Sequence, residues 1–286
     1  MHRSIDTRET TMANVFFVSH PYNPPTSVKG DICRWNTGRE HWRKLIRSQG
    51  ARYITGLGAS PDEGDIVFVG EWECCSECAP CPTNDTRLGY LHDVFLTEMD
   101  NWPHILSTDP FVFGPKFYYS CCKIHKTANM HPGDIILFGS YKDCLPGQML
   151  LDTVMVLEEK IPLLEQPEHR FPYGYSHVTL TKVHPDSFVW EGRMYNDTPD
   201  GTFSFVPCLP FPSDGTTMIV NMPCVIDRTI CGIPIKVGQN VGITELVGVD
   251  SKTIFVDIAS KVTAKGYSLG VRMPMPESKP ICDILK

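Results

Sequence analysis

No hydrophobic run in this chain approaches the length that spans a bilayer, and the opening MHRSIDTRETTMAN carries no apolar core of the kind an export signal needs. Membrane insertion and secretion are therefore not expected, and a reducing cytoplasm is. There is no low-complexity linker to divide the chain, and no alternation of strands with helices of 10 to 15 residues, which excludes a doubly wound sheet or a (β/α) barrel. Also missing are a Gly-rich loop ending in Lys-Ser/Thr, a G-x-S-x-G elbow and a His-Glu-x-x-His helix, so the common nucleotide hydrolase, serine hydrolase and zinc protease classes are not expected. A net basic charge is lacking as well: the chain carries −7, which argues against a protein whose whole surface coats nucleic acid.

That charge is unevenly spread. Arg34, Arg39, Arg43, Lys44, Arg47 and Arg52 face only Glu40 in the same stretch, a local balance of +5 that leaves −12 for the rest. One basic face on an acidic body is the outline of a localised phosphate or nucleic-acid site. The segment reads as a helix. Thr37 and Glu40 form a capping box, Trp42, Leu45 and Ile46 share an apolar face, and Gly50 supplies the stop. On it Arg39, Arg43 and Arg47 recur at i, i+4, i+8 and would be presented together.

Two ten-residue stretches nearly repeat: Glu63 to Trp72 (EGDIVFVGEW) and Pro132 to Tyr141 (PGDIILFGSY), offset by 69. Each reads as a tight Gly-Asp turn feeding a strand buried on both faces. The flanks do not match, so two equivalent turn-strand units are expected and not two duplicated domains. Further strands are expected at Val15 to Ser19, Arg52 to Thr55, Phe111 to Ser120, Leu150 to Leu157, Ser176 to Thr181, Phe188 to Tyr195, Thr202 to Val206, Met218 to Asn221 and Ile233 to Val237. A helix is expected from about Thr253 to Lys265, with Ile254, Phe255, Ile258 and Val262 on one face and Gly266 at its end. The fold class is α+β, mainly antiparallel β: a partly closed barrel with the basic helix packed across it. Residues 1–13 read as a flexible tail and 14–286 as a single β-rich domain, with a β extension after about residue 165 as the alternative division.

The segment HPGDIILFGS, followed after a short loop by LLDTVMVLEE, resembles the central hairpin of PUA-like domains, the small barrels that include the ASCH and EVE families. The resemblance covers about 30 residues of 286. It implies recognition of RNA or of modified bases in a cleft beside the barrel, a setting tied to nucleotide modification and phage defence, with Trp72, Tyr141 or Trp42 as candidates for stacking on a base.

The chain has 12 cysteines, and in a reducing compartment a cysteine cluster points to metal or redox chemistry before disulfides. The loop after the first repeat carries Cys74, Cys75, Cys78 and Cys81. Cys75-x2-Cys78 with Cys122-x2-His125 forms a zinc-like set, for which Cys78-x2-Cys81 with Cys121-x3-His125 is the shifted variant. Cys74-x3-Cys78-x2-Cys81 matches the cluster spacing of radical S-adenosylmethionine enzymes, without the Gly-Gly-Glu, the aromatic before the third cysteine or the βα barrel of that family. His125 with Thr127 and His177 with Thr179 resemble the paired motifs of two-histidine phosphoesterases. Asp134 with Glu158 and Lys160 loosely follows the metal-dependent nucleases. Glu71 and Glu73 flank Trp72, as a polar cleft or as partners for Arg39 or Arg43.

The function expected from these readings is nucleotide or nucleic-acid recognition, with phosphate held by Arg39, Arg43, Lys44 and Arg47, base stacking by Trp42 or Trp72, and zinc held by Cys75, Cys78, Cys122 and His125. The alternatives are an enzyme acting on nucleotides or nucleic acid, and a protein-interaction component.

Overall fold

The computed structural model describes residues 13–20, 32–34, 43–81, 89–97, 108–121, 123–141, 144–165, 170–214, 222–237 and 243–279. In chain order the strands are β1 (Ala13–Ser19), β2 (Ile32–Arg34), β3 (Lys44–Ile54), β4 (Asp62–Gly70), β5 (Cys75–Pro80), β6 (Tyr90–Val94), β7 (Leu96–Thr97), β8 (Tyr118–Tyr119) and β9 (Ile135–Ser140). They continue as β10 (Gln148–Pro162), β11 (Phe188–Gly192), β12 (Val206–Pro210), β13 (Cys224–Asp227), β14 (Thr229–Ile230), β15 (Ile233–Pro234), β16 (Ile243–Leu246), β17 (Ser268–Arg272) and β18 (Ser278–Lys279). Among the described residues two α-helices, α1 (Tyr173–Val178) and α2 (Ser251–Ala264), join them.

Most strands fall into two sheets. The first runs β16-β1-β9-β10-β11-β8, with β13 also on β10. Within it β1 and β9 are parallel and in register from Val15 and Ile135 to Ser19 and Gly139, so His20, just past the end of β1, stands beside Ser140 at the end of β9. The second runs β17-β12-β4-β3-β6-β5-β2, and an extra pairing of β17 with β3 closes β17, β12, β4 and β3 into a four-stranded antiparallel barrel. The closure is tight: a Cβ on Gly270 would lie 2.8 Å from Val206 and 3.1 Å from Ile66, so only glycine fits there.

β3 and β4 are apolar on both faces because each face meets a different core. Leu45, Val67 and Val69 belong to one cluster with Phe16, Phe17, Leu137 and Val154 of the first sheet. Ile46, Ile66 and Phe68 belong to a second, with Trp72, Phe111, Phe113 and Tyr175. This is why the run IVFV shows no alternation of polar and apolar residues. Helix α2 packs against β1, β13 and β17 through Ile254, Phe255, Ile258, Ala259 and Val262. Its N-cap Asp250 accepts a 2.8 Å hydrogen bond from Thr253 N–H, and Gly266 ends it in the left-handed conformation with φ 85°.

The basic helix is not formed over the described part of its span. Lys44–Ile54 is a strand, and the positions of the capping box lie outside the described residues. Tertiary pairing overrides the local pattern: Lys44 to Ser48 pair with β4 on one edge while Leu45 to Arg47 pair with β6 on the other. Gly50, read as a helix stop, instead sits with φ 62° in a bulge between Ser48 and Ala51. Ser176 to Thr181 is also not a strand but α1 followed by a 3-10 turn. Only Tyr118–Tyr119 of the Phe111 to Ser120 stretch is a strand, and Met218 to Asn221 lies outside the described residues. The barrel is closed, not partly closed, and Ala13 already belongs to β1 and not to a tail. The repeated cassettes also differ in detail. Gly133 makes the expected turn, with φ 94°, whereas Gly64 lies inside β4. No helix among the described residues is long and apolar enough to cross a membrane.

Candidate functional site: a buried ionic cluster between the sheets

The register of the β3–β4 hairpin pairs Lys44 with Gly70, so the next residues outward, Arg43 and Glu71, stand opposite each other. They form an ion pair that is only 2% exposed at either side chain. From the first sheet comes Asp152, which interrupts the apolar run of β10. It occupies a bulge, where the register with β9 shifts between Leu151 and Thr153. A bulge re-aims a side chain. Here Asp152 Oδ2 accepts a 2.9 Å hydrogen bond from Arg43 Nε. His20 lies with Nδ1 4.0 Å from Glu71 Oε2.

Behind the guanidinium, Asp109 ties the cluster to the 118–121 segment. Its N–H donates to Glu71 Oε1 at 3.3 Å, and its carbonyl accepts from Arg43 Nη2 at 3.4 Å. Its two carboxylate oxygens each accept a 3.0 Å hydrogen bond, from Ser120 N–H and Cys121 N–H. One guanidinium thus sits among three buried acidic residues. Burial pushes the Asp152 carboxyl up to about 7, against the opposing pull of Arg43. Among the described residues Asp152 Oδ1 and the Ser140 hydroxyl are both buried without a hydrogen-bond partner. β9 and β10, which carry them, are neighbours, with Ser140 paired to Leu150.

Strand alternation turns Lys44 away from this cluster. Burial lowers its ammonium to about 7, with Glu73 opposing, and burial together with Lys44 lowers His92 to about 3. His92 therefore stays neutral, with Nδ1 2.8 Å from Ser76 Oγ. Arg47, the third expected phosphate ligand, is held in a two-point fork by Asp93, with both hydrogen bonds 2.6 Å. Trp72 is fully buried, its Nε1–H donates to Cys75 C=O at 3.0 Å and its ring packs edge-on against Phe113, so it presents no face to a base. Tyr141 packs half-buried at the edge of the first core. Arg39 and Trp42 lie outside the described residues. The expected basic, aromatic face is therefore not assembled from Arg43, Lys44, Arg47 and Trp72.

The other motifs are likewise dispersed. Cys78 is disulfide-bonded, Cys75 is fully buried on β5, His125 is exposed on a 3-10 turn, and Cys122 lies outside the described residues. Among the described residues no group of three His, Cys, Asp or Glu side chains is placed to hold a metal ion. The disulfide likewise takes Cys78 from the cluster-binding triplet, and burial raises the Cys74 thiol far above its usual range. Thr127 is committed to Trp190 Nε1 and Ile124 C=O, and Thr179 to Thr108 C=O, so neither hydroxyl waits for phosphate. Asp134 accepts from Asn14 N–H and His131 N–H, Glu158 pairs with Lys116, and Lys160 donates to Ala128 C=O. These three form no nuclease site.

Of the cluster, sequence reasoning reaches Arg43 and Glu71, with Glu71 as a partner for Arg39 or Arg43. It misses His20, Asp109, Ser140 and Asp152. One signal is available for Asp152: a lone acid inside LLDTVMV needs a buried partner or a function. The chain matches no protein-family model, no curated protein and no solved structure.

Proposed function

We propose that the protein recognises a nucleobase, carried on a nucleotide or a nucleic acid, at the buried cluster of Arg43, Glu71 and Asp152. The observation that carries this reading is Asp152 Oδ1, buried beside an arginine with no hydrogen-bond partner among the described residues. An ion pair kept for stability alone gains nothing from a buried oxygen left bare, which costs about 1–3 kcal/mol. A base edge carries an amino or ring N–H beside an acceptor, and a carboxyl that titrates near 7 serves either, as acceptor when ionised and as donor when protonated. The Ser140 hydroxyl on the neighbouring strand supplies a second contact of either sense. Recognition thus moves from the outer face expected from the arginine spacing to the junction of the sheets.

A catalytic role at the same place is the second reading. It is favoured by His20 beside Glu71 and by an Asp152 carboxyl able to exchange a proton near neutral pH.

Calorimetric titration with a panel of bases, nucleosides and nucleotides tests both. Saturable binding by the wild type, weakened about tenfold or more in Asp152→Asn with unchanged circular dichroism, is the expected result. Absence of binding across the panel, or equal affinity in the variant, would overturn the proposal. Turnover of a bound ligand that is lost in Asp152→Asn would establish the catalytic reading.

A further inference from the structure

β3 changes partner along one edge. It pairs with β6 in parallel over Leu45 to Arg47 and with β17 antiparallel over Arg52 to Ile54, while Ser48 to Ala51 pair with no described strand on that edge. Two adjoining clefts open at this fork. One, of about 300 Å³, is bordered by Arg47, Asp93, Pro274 and Lys279. The other, of about 250 Å³, is lined by Gly50, Arg52, Glu63, Arg272 and Pro274, so Pro274 is a wall of both.

In the second cleft two arginines meet. Arg52 is directly opposite Arg272 across the β3–β17 seam, and both are exposed. Like charges set opposite each other on neighbouring strands are destabilising. Among the described residues nothing neutralises them. Glu63 faces Arg52 from β4, yet no ion pair or hydrogen bond joins it to either arginine, and no other described carboxylate lies within ion-pair distance of them. Four other arginines are matched by acids: Arg43 by Glu71 and Asp152, Arg47 by Asp93, Arg170 by Glu159 and Glu191, and Arg193 by Asp200. Gly50 also lines this cleft, and a Cβ there would stand in open space.

We propose that Arg52 and Arg272 form a clamp for a phosphoryl group, supplied by a phosphomonoester such as a nucleoside monophosphate or by the phosphodiester backbone of a single-stranded nucleic acid. Guanidinium forks match phosphate oxygens in geometry and charge, and two of them from adjacent strands can hold one group from both sides. A longer ligand continues past Pro274 into the adjoining cleft, where Arg47 and Lys279 are already engaged by Asp93 and Glu77 and so guide it without binding it tightly. This clamp is independent of the buried cluster.

The test is fluorescence anisotropy of a labelled single-stranded oligonucleotide, with inorganic phosphate and a nucleoside monophosphate as competitors, on wild type, Arg52→Gln/Arg272→Gln and Asp152→Asn. The double variant removes a repulsion from exposed positions, so its melting temperature is expected to equal or exceed that of the wild type. Its oligonucleotide affinity is expected to fall about tenfold or more, and the slope of log K against log salt to shrink by about 1.4, the value for two phosphate contacts on a single strand. Competition by the monophosphate at concentrations where inorganic phosphate also competes assigns the clamp to phosphomonoesters. Oligonucleotide binding that neither small anion displaces assigns it to the backbone. Wild-type affinity in the double variant, or no binding of any probe by the wild type, would overturn the clamp. Inorganic phosphate carries no base, so its competition is expected to be lost in Arg52→Gln/Arg272→Gln and kept in Asp152→Asn, which separates failure here from failure of the base site.

Discussion

Replacing Asp152 by asparagine should change how the stability of the protein depends on pH. In the native state the carboxyl is fully buried and its pKa is raised from 3.8 to about 7, by burial first, with Arg43 pulling the other way. In the unfolded chain it titrates near 3.9. Between those values the native state holds a proton that the unfolded state has lost. The contribution of this group is therefore complete below about pH 4 and is lost as pH rises through 7. The slope is about 1.4 kcal/mol per pH unit and the total about 4 kcal/mol over the window. The Asp152→Asn side chain has no proton to exchange, so this dependence vanishes in the variant while the shape of the group is kept. Urea denaturation of both proteins at pH 5, 6, 7 and 8 measures it directly. The wild type should lose ground to the variant by about 1 kcal/mol per pH unit between pH 5 and 7, and by little beyond. A difference that stays constant from pH 5 to 8 would refute the reasoning, and would mean that Arg43 keeps Asp152 ionised throughout.

Three further outcomes follow from the packing. A Cβ on Gly139 would collide with the backbone carbonyl of Leu150, whereas the nearest atoms to one on the equivalent Gly70 belong to the side chains of Phe68 and Ile46. Gly139→Ala should therefore cost about 3 kcal/mol and Gly70→Ala clearly less, read as melting temperatures. Trp72→Ala should cost about 3–5 kcal/mol in denaturant unfolding, where a base-stacking residue on the surface would cost almost nothing. Asp250→Ala removes the cap of α2 and should cost about 1 kcal/mol, with a small loss of helical circular dichroism signal.

Much of the β framework is legible in the sequence because it is written in patterns of short range. The apolar runs of β1, β4, β9 and β10 announce strands whatever their neighbours, and Ile254, Phe255, Ile258 and Val262 mark the inner face of α2. The Arg43 to Arg47 region misleads because its local signals agree with a helix, while its conformation is decided by pairing with β4, the next strand of the hairpin, on one edge and with β6, distant in the chain, on the other. Helical spacing would set Arg43 and Arg47 on one exposed face. As strand residues they end at different depths, Arg43 against two carboxylates in the interior and Arg47 against Asp93 nearer the surface. The cluster itself unites positions 20, 43, 71, 109 and 152, which only sheet order brings together. No local spacing encodes such a meeting. The clamp is half visible, since Arg52 closes the basic stretch, but Arg272 is supplied by the last strand of the barrel.

The ion pair of Arg43 and Glu71 has a consequence for how the hairpin finds its alignment. A strand with polar and apolar residues in alternation punishes any slip, because every side chain changes face. β4 has no such safeguard: Ile66, Val67, Phe68 and Val69 would remain among apolar neighbours if it slid by one residue against β3. What would not survive is the charge at the end. A slip in either direction sets Arg43 across from Gly70 or Trp72 and strands a guanidinium in the interior with its acid displaced. The polar terminus thus acts as a molecular vernier, selecting one alignment among several that the greasy middle of the hairpin would tolerate.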